Sequence, residues 1–79
     1  MTYNNKYYIL DFKKFDSLIE ANNFTVQKFS KACEMTPPQF SKARHSNVGF
    51  SMRSVCLILE SIQNLFGVKL KLVDIFSRK

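Results

Sequence analysis

Hydrogen-bonding and cationic side chains are concentrated between residues 25 and 45. Gln39 and Lys42 are three positions apart in this stretch, and Ser41 and His45 lie beside them at similar spacing. In a helix, side chains three or four positions apart share a face, so these groups would line one outer surface. Amide, hydroxyl and ammonium groups recognise polar or anionic partners through hydrogen bonds and charge, without covalent chemistry.

Groups that could support catalysis or hold a metal ion are scattered along the chain. His45 is the one histidine, and no Cys, Asp or Glu cluster lies near it in sequence. Asp11, Asp16 and Glu20 alternate with lysines, which is typical of a solvated helix face. No phosphate-binding glycine loop, nucleophile elbow or zinc spacing is present. We therefore expect no enzymatic activity, no catalytic residue, no metal site and no cofactor.

Size and charge narrow the remaining classes of protein. The 79 residues predict one domain, 1–79, and 46% hydrophobic residues are too many for a disordered chain. Twelve Lys and Arg against six Asp and Glu give a net charge of +6. Such a charge fits a phosphate-binding face, and it fits a merely basic surface about equally well.

The cysteines and the hydropathy pattern indicate the cellular compartment of the protein. Cys33 and Cys56 each fall in an apolar helical pattern, so we expect two buried thiols and a reducing environment. The N-terminus lacks a charged start followed by an apolar run, and no apolar stretch reaches the roughly 20 residues of a membrane span. The sequence predicts a cytoplasmic protein with no membrane partner.

Apolar residues that recur every three or four positions predict four helices. Their boundaries carry side-chain oxygens that can accept free N–H groups at the start, and Asn or Gly, which tolerate a left-handed backbone, at the end. The predicted helices are 11–21 with an exit at Asn22-Asn23, a second after the N-cap Thr25, a third from Pro37 to His45 capped by Thr36, and a fourth from Ser51 to Gly67.

The two ends of the chain carry shorter patterns. Residues 68–73 alternate apolar and basic side chains with period two, as a half-buried strand does. Leu70, Val73 and Phe76 also have the spacing of a short fifth helix, but we expect the strand. Residues 7–10 have the pattern of a second extended segment. The predicted fold is mainly all-α, with four to five helices and a short β-strand at the C-terminal and N-terminal ends.

A very short turn joins the second and third predicted helices, so the two must cross at a steep angle. Their contact requires a small residue, Ser30, against the apolar Phe40 and Ala43. The polar face of the third helix would then point outward, free to enter the major groove of DNA.

This stretch is similar to the lambda-repressor-like (Xre, Cro/CI type) helix-turn-helix family, and the resemblance runs from about residue 18 to residue 73. The residues at family spacing are Leu18, Phe24-Thr25, Phe29-Ser30, Met35-Thr36, Phe40-Ser41 and the helix start at Ser51. The resemblance implies a five-helix domain, with its motif at about 25–45, that binds double-stranded operator DNA, commonly as a homodimer.

Under this interpretation the chain is a small transcriptional regulator of the phage repressor or Cro type, with helix 37–45 in the major groove. The residues expected to read base edges are Pro38, Gln39, Ser41 and Lys42. The residues expected near phosphates are Thr36, Lys28, Arg44, His45 and Asn47.

Three features depart from the family pattern. Val26 stands where many members have a Gln that touches the DNA backbone, and Glu34 replaces the usual turn glycine. Glu34 would therefore be left-handed at some cost in strain. Pro37 and Pro38 begin the third helix, where they can touch thymine methyl groups but form no bidentate hydrogen bonds. Base readout is expected to be reduced.

A second class of function uses the same scaffold to bind a protein. The chain would then be an antirepressor that binds a repressor, or an antitoxin that binds a toxin. The prolines and Phe50 favour this class, whereas the basic charge favours DNA. The C-terminal segment resembles antitoxins whose terminal strand pairs between subunits; pairing with residues 7–10 of the same chain is the alternative. The residues expected on a dimer or partner surface are Phe50, Leu70 and Leu72.

Overall fold

This computed structural model describes residues 8–46 and 48–78, which contain five helices and two short strands. In chain order they are β1 (Tyr8–Leu10), α1 (Phe12–Ala21), α2 (Val26–Ala32), α3 (Pro37–Ser46), α4 (Met52–Phe66), α5 (Leu72–Ile75) and β2 (Phe76–Arg78). The predicted class, mainly all-α with a short strand near each end, is confirmed. Within these residues no helix has the length and apolar character needed to cross a bilayer.

Side-chain oxygens begin three of the helices. Asp11 accepts hydrogen bonds from the N–H groups of Lys13 and Lys14 at 3.1 and 3.2 Å. Thr25 and Ser51 each accept one from the N–H group three positions later, at 3.1 and 3.3 Å. These bonds satisfy N–H groups that have no partner within the helix. The predicted caps Thr25 and Ser51 are confirmed, and Asp11 is a cap rather than the first helical residue.

Left-handed residues end three helical segments. Asn23 has φ 52° and Gly67 has φ 68°, so both predicted exits are confirmed. Glu34, in the turn between α2 and α3, has φ 59°. An L-residue with a Cβ atom pays roughly 1–2 kcal/mol for this conformation. The strain predicted at Glu34 therefore lies within the turn that sets the crossing of α2 and α3.

We expect Glu34→Gly to raise the free energy of unfolding by about 0.5–1 kcal/mol. Glycine enters the left-handed region without a Cβ penalty, and its extra freedom in the unfolded chain offsets part of the gain. The thermal midpoint should rise by roughly 2–6 °C for a chain of this size. Glu34→Ala is the matched control, because it removes the same side chain but keeps Cβ. Equal midpoints for the two variants would contradict the presence of strain.

Phenylalanines from the first three helices form the centre of the core. Phe15 stacks on Phe40 with ring centroids 5.6 Å apart, and Phe29 meets Phe15 edge-on at 5.2 Å. All three are at most 1% exposed. Helix α4 completes the core with Ile58 and Ile62, which are fully buried. Helix α3 therefore packs into the core through its inner side, and its opposite side faces solvent.

The C-terminal segment differs from the strand predicted at residues 68–73. Residues 68–71 belong to no helix or strand, and α5 begins at Leu72. The N–H group of Lys71 donates to the Asp74 carboxylate at 2.8 Å, which starts a helical turn. Leu70 and Leu72 pack half-buried against the core. The strand predicted from the period-two pattern is wrong, because this local hydrogen bond favours a helical turn.

The two strands tie the ends of the described chain together. They pair antiparallel, with Ile9 opposite Ser77. On the other side of β1, Tyr8 exchanges backbone hydrogen bonds with Phe50, at 3.3 and 2.7 Å. The extended segment predicted at 7–10 is confirmed for residues 8–10, while Tyr7 lies outside the described residues. Its partner within the chain is β2 rather than the predicted 68–73.

The two cysteines lie in different environments. Cys33 is buried, and desolvation raises the pKa of its thiol, with a hydrogen bond to Ser61 acting in the opposite direction. Cys56 is exposed, so the prediction that both thiols are buried is wrong for this residue. Successive helical residues are turned by about 100°, and the buried stripe of α4 passes through Val55 and Ile58. Cys56 therefore points away from the core.

Candidate nucleic-acid interface

Helices α2 and α3 are joined by four residues, 33–36, and pack through the predicted small residue. Ser30 is fully buried, with its hydroxyl donating to the Gln27 carbonyl at 2.9 Å. The Ser30 carbonyl accepts the N–H group of Met35 at 2.8 Å, which fastens the turn to α2. Phe40 and Ala43, at 1% and 4% exposure, face inward from α3 as predicted.

The outer surface of α3 is formed by the exposed side chains of Pro38, Ser41, Lys42 and His45. At about 100° per residue these four positions fall within an arc of about 100°, opposite Phe40. We call this set the outer face. It combines an apolar ring, a hydroxyl, an ammonium and an imidazole on a helix whose other side is held in the core. A convex helical surface of this kind can enter a major groove.

Gln39 lies at the edge of the outer face and has a structural partner. Its Oε1 accepts the N–H group of Thr36 at 2.8 Å and faces the Thr36 hydroxyl at 3.3 Å. This is one half of a capping box, in which the third helical residue reaches back to the start of the helix. Bidentate contact with adenine uses both the oxygen and the NH₂ group of an amide. In this conformation Gln39 keeps the NH₂ group alone for a base edge.

A cleft of about 180 Å³ separates the outer face from the start of α4. Its lining residues are Gln39, Lys42, Ala43, Val48, Gly49, Phe50, Ser51 and Ser54. The first intrahelical hydrogen bond of α4 runs from Val55 to the Ser51 carbonyl, and the N–H groups of the first turn face the helix start, where anions are favoured. Sequence reasoning missed Ser51 and Ser54 as site residues. The signal was the Ser51 cap directly after the motif.

Arg44 lies on the flank of α3, where it is exposed and also contacts α1. Its guanidinium donates to both carboxylate oxygens of Asp16, at 2.6 and 2.8 Å, and lies 4.5 Å from the centroid of the Phe12 ring. The hydrogen bond from Arg44 lowers the pKa of Asp16, so the carboxylate is charged at neutral pH. The pKa of Arg44 is raised by the same bond. In this structure Arg44 forms an ion pair with Asp16, and the phosphate contact expected of it stays a prediction.

The other residues predicted near phosphates have mixed outcomes. Lys28, Thr36 and His45 are exposed. His45 lies in the last turn of α3. Asn47 lies outside the described residues. With Arg44, four of the five predicted side chains are thus exposed.

The predicted partner surface is wrong for Phe50. This residue is 6% exposed and packs between Phe40 and Phe76, with ring centroids at 5.7 and 6.3 Å. Its two backbone hydrogen bonds to Tyr8 hold it inside the fold. Leu70 and Leu72 are half-buried against the core. Among residues 8–46 and 48–78, the most exposed large hydrophobic side chain is Val73 of α5, at 78%.

Comparison with known proteins adds no neighbour to this geometry. No family model matches the chain, and no curated protein or solved structure matches it at a significant level. Across residues 8–46 and 48–78, no three His, Cys, Asp or Glu side chains are grouped so that they could hold a metal ion. The function must be inferred from the outer face, the cleft and the charges around them.

Proposed function

We propose that this protein is a small cytoplasmic DNA-binding transcriptional regulator of the phage repressor or Cro type, acting without catalysis or a cofactor. The observation that carries the proposal is the outer face, four exposed side chains on a helix whose opposite side is anchored by Phe40 and Ala43. Pro38, Ser41 and Lys42 would meet base edges. A protruding helix with a rigid base and a cationic centre suits the major groove.

The surroundings of the outer face suit the DNA backbone. Lys42 lines the cleft together with Ser51 and Ser54 at the start of α4. Hydroxyl groups, helix N-termini and lysines supply many of the contacts that proteins make to phosphate. Lys28, exposed on α2, adds a further cation. The net charge of +6 acts over a longer range and favours approach to a polyanion.

We further propose that the active form is a homodimer formed through the C-terminal part of the chain. Val73 is 78% exposed and Leu65 is 42% exposed, while Leu70 and Leu72 are half-buried. Burial of such side chains between two copies is favourable at roughly 25 cal/mol per Å² of apolar surface. A dimer would present two outer faces to two half-sites.

Binding to DNA from around its own gene should weaken steeply with salt. Two to four phosphate contacts predict a log–log slope of about −1.8 to −3.6, so a fourfold rise in salt weakens binding roughly 10- to 150-fold. Fluorescence polarisation between 50 and 200 mM salt would measure this slope. Binding that persists with a flat salt dependence would contradict the electrostatic role of the basic surface.

A second candidate, a protein-binding module of the antirepressor or antitoxin type, is favoured by one specific observation. Pro38 and Gln39 at the start of α3 have little capacity to read bases, since proline has no N–H donor and the Gln39 oxygen already caps the helix. In this case the chain would show no preference among DNA sequences. It would capture a repressor or toxin from the same genome through the outer face.

A further inference from the structure

The last turn of α3 is connected to α1 by a three-residue cluster. Arg44, in the last turn of α3, forms two hydrogen bonds with Asp16, which lies 28 residues earlier in the middle of α1. Its guanidinium also covers the Phe12 ring. Phe12 and Asp16 are four positions apart, so they share one flank of α1 and meet the same guanidinium. We call these three residues the clamp.

The clamp acts where the hydrophobic anchoring of α3 ends. Phe40 and Ala43 are the buried residues of this helix, and the three residues that follow Ala43 are exposed. A bidentate pair fixes the planar guanidinium in orientation as well as in distance, and the ring beneath it restrains the plane further. The clamp therefore restrains the last turn of α3, which carries His45 and follows Lys42.

The clamp also removes the free charge of Arg44. Both terminal nitrogens donate to a charged carboxylate, so the pair is close to neutral as a unit. An arginine that is paired with a carboxylate neutralises no phosphate, so it releases no counterions from DNA and contributes little to the salt dependence of binding. An arginine that holds α3 against α1 and an arginine that contacts phosphate therefore differ in their effect on the salt dependence of binding.

We propose that Asp16 and Phe12 are positioning residues for the DNA-reading helix, holding the last turn of α3 through Arg44 in the orientation that binding requires. The inference rests on the proposed DNA-binding function. Asp16 and Phe12 act through Arg44 rather than by touching DNA. The clamp makes α1, which carries no base-reading residue, a determinant of affinity.

The test compares Asp16→Asn, Arg44→Gln and the double variant, measured by polarisation on the same duplex at several salt concentrations. Each single change should weaken binding about three- to tenfold, as do substitutions that act through a packed network without contacting the ligand. The double variant should be no weaker than the weaker single variant, because both changes remove the same clamp. The salt slope should stay at the parent value. Asp16→Glu, which keeps the charge, should restore most of the affinity.

Glu20→Gln is the matched control. It neutralises an exposed carboxylate on the same helix, four positions from Asp16, and so changes the net charge by the same amount. Its affinity should stay close to that of the parent. Circular dichroism at the assay temperature would show that all variants remain folded. A loss of affinity would then reflect the orientation of the last turn of α3 and not unfolding.

The opposite results identify the alternatives. If Arg44 binds phosphate, Asp16→Asn should strengthen binding and Arg44→Gln should reduce the slope by about 0.9; either outcome overturns the clamp. A parent that binds DNA with an affinity unaffected by all these variants overturns the clamp but keeps the proposed function. A parent that binds no DNA at any salt concentration overturns the proposed function, and the positioning role falls with it.

Discussion

Phe40→Ala is expected to lower the free energy of unfolding by about 3–5 kcal/mol, the range for truncating a fully buried phenylalanine. The ring is 1% exposed and contacts three others, with centroids 5.6 Å from Phe15, 6.1 Å from Phe29 and 5.7 Å from Phe50. Because these rings come from separate parts of the chain, the cavity cannot be closed by moving one side chain. The whole free energy of unfolding of a small domain is roughly 5–15 kcal/mol, so the variant should lose a large fraction of it.

Urea denaturation followed by circular dichroism would measure this loss. Gln63→Ala is the control, since its side chain is exposed on α4 and a surface truncation should change the stability by no more than about 0.5 kcal/mol. If Phe40→Ala unfolds within a degree or two of the parent on heating, Phe40 is exposed in solution. The assignment of the outer face of α3 would then be wrong as well, because it depends on the same helical register.

The parts of the fold that were predictable from sequence depend on neighbours in the chain. Thr25 and Ser51 cap helices because their hydroxyls reach N–H groups three positions away. Asn23 takes a left-handed conformation for reasons that lie within the residue itself. Phe40 and Ala43 are buried together because positions three apart share a face of the helix. The outer face follows from the same periodicity.

Contacts between distant residues were not predictable in this way. No local pattern indicates that Arg44 pairs with Asp16 across 28 residues, and its place at the end of the motif made Arg44 a candidate for phosphate. Phe50 was expected on a partner surface because it suits an apolar contact, but pairing with β1 draws it into the core. For Gln39 the sequence is compatible with two roles. Its spacing from Thr36 fits a cap and its position fits a base reader, and the capping bond is the one that forms.

The cap and the clamp change which residue of α3 is expected to matter most for binding. The Gln39 oxygen and the Arg44 guanidinium both have partners within the protein. Lys42 lies on the outer face, is exposed and lines the cleft beside Ser51 and Ser54. It is therefore the cation best placed to contact a phosphate or a base edge.

We expect Lys42→Glu to weaken DNA binding by about 2–3 kcal/mol, roughly 30- to 150-fold, because it removes one favourable contact and places a negative charge against the polyanion. Folding should be unaffected, since the side chain points to solvent. Lys69→Glu provides a control with the same change of net charge. Lys69 is exposed and follows α4, whose 15 residues place its far end about 22 Å from the cleft at its start.

The comparison of these two variants separates local contact from overall charge. If Lys42 touches DNA, Lys42→Glu should lose far more affinity than Lys69→Glu, and the difference should persist when both are measured at low salt. If the two lose affinity equally, the basic charge acts only at a distance and the outer face is not the DNA contact. If neither changes DNA binding while Lys42→Glu abolishes capture of a repressor or toxin, the same face serves a protein partner. Polarisation and pull-down assays on the same preparations would therefore assign the outer face to DNA or to protein.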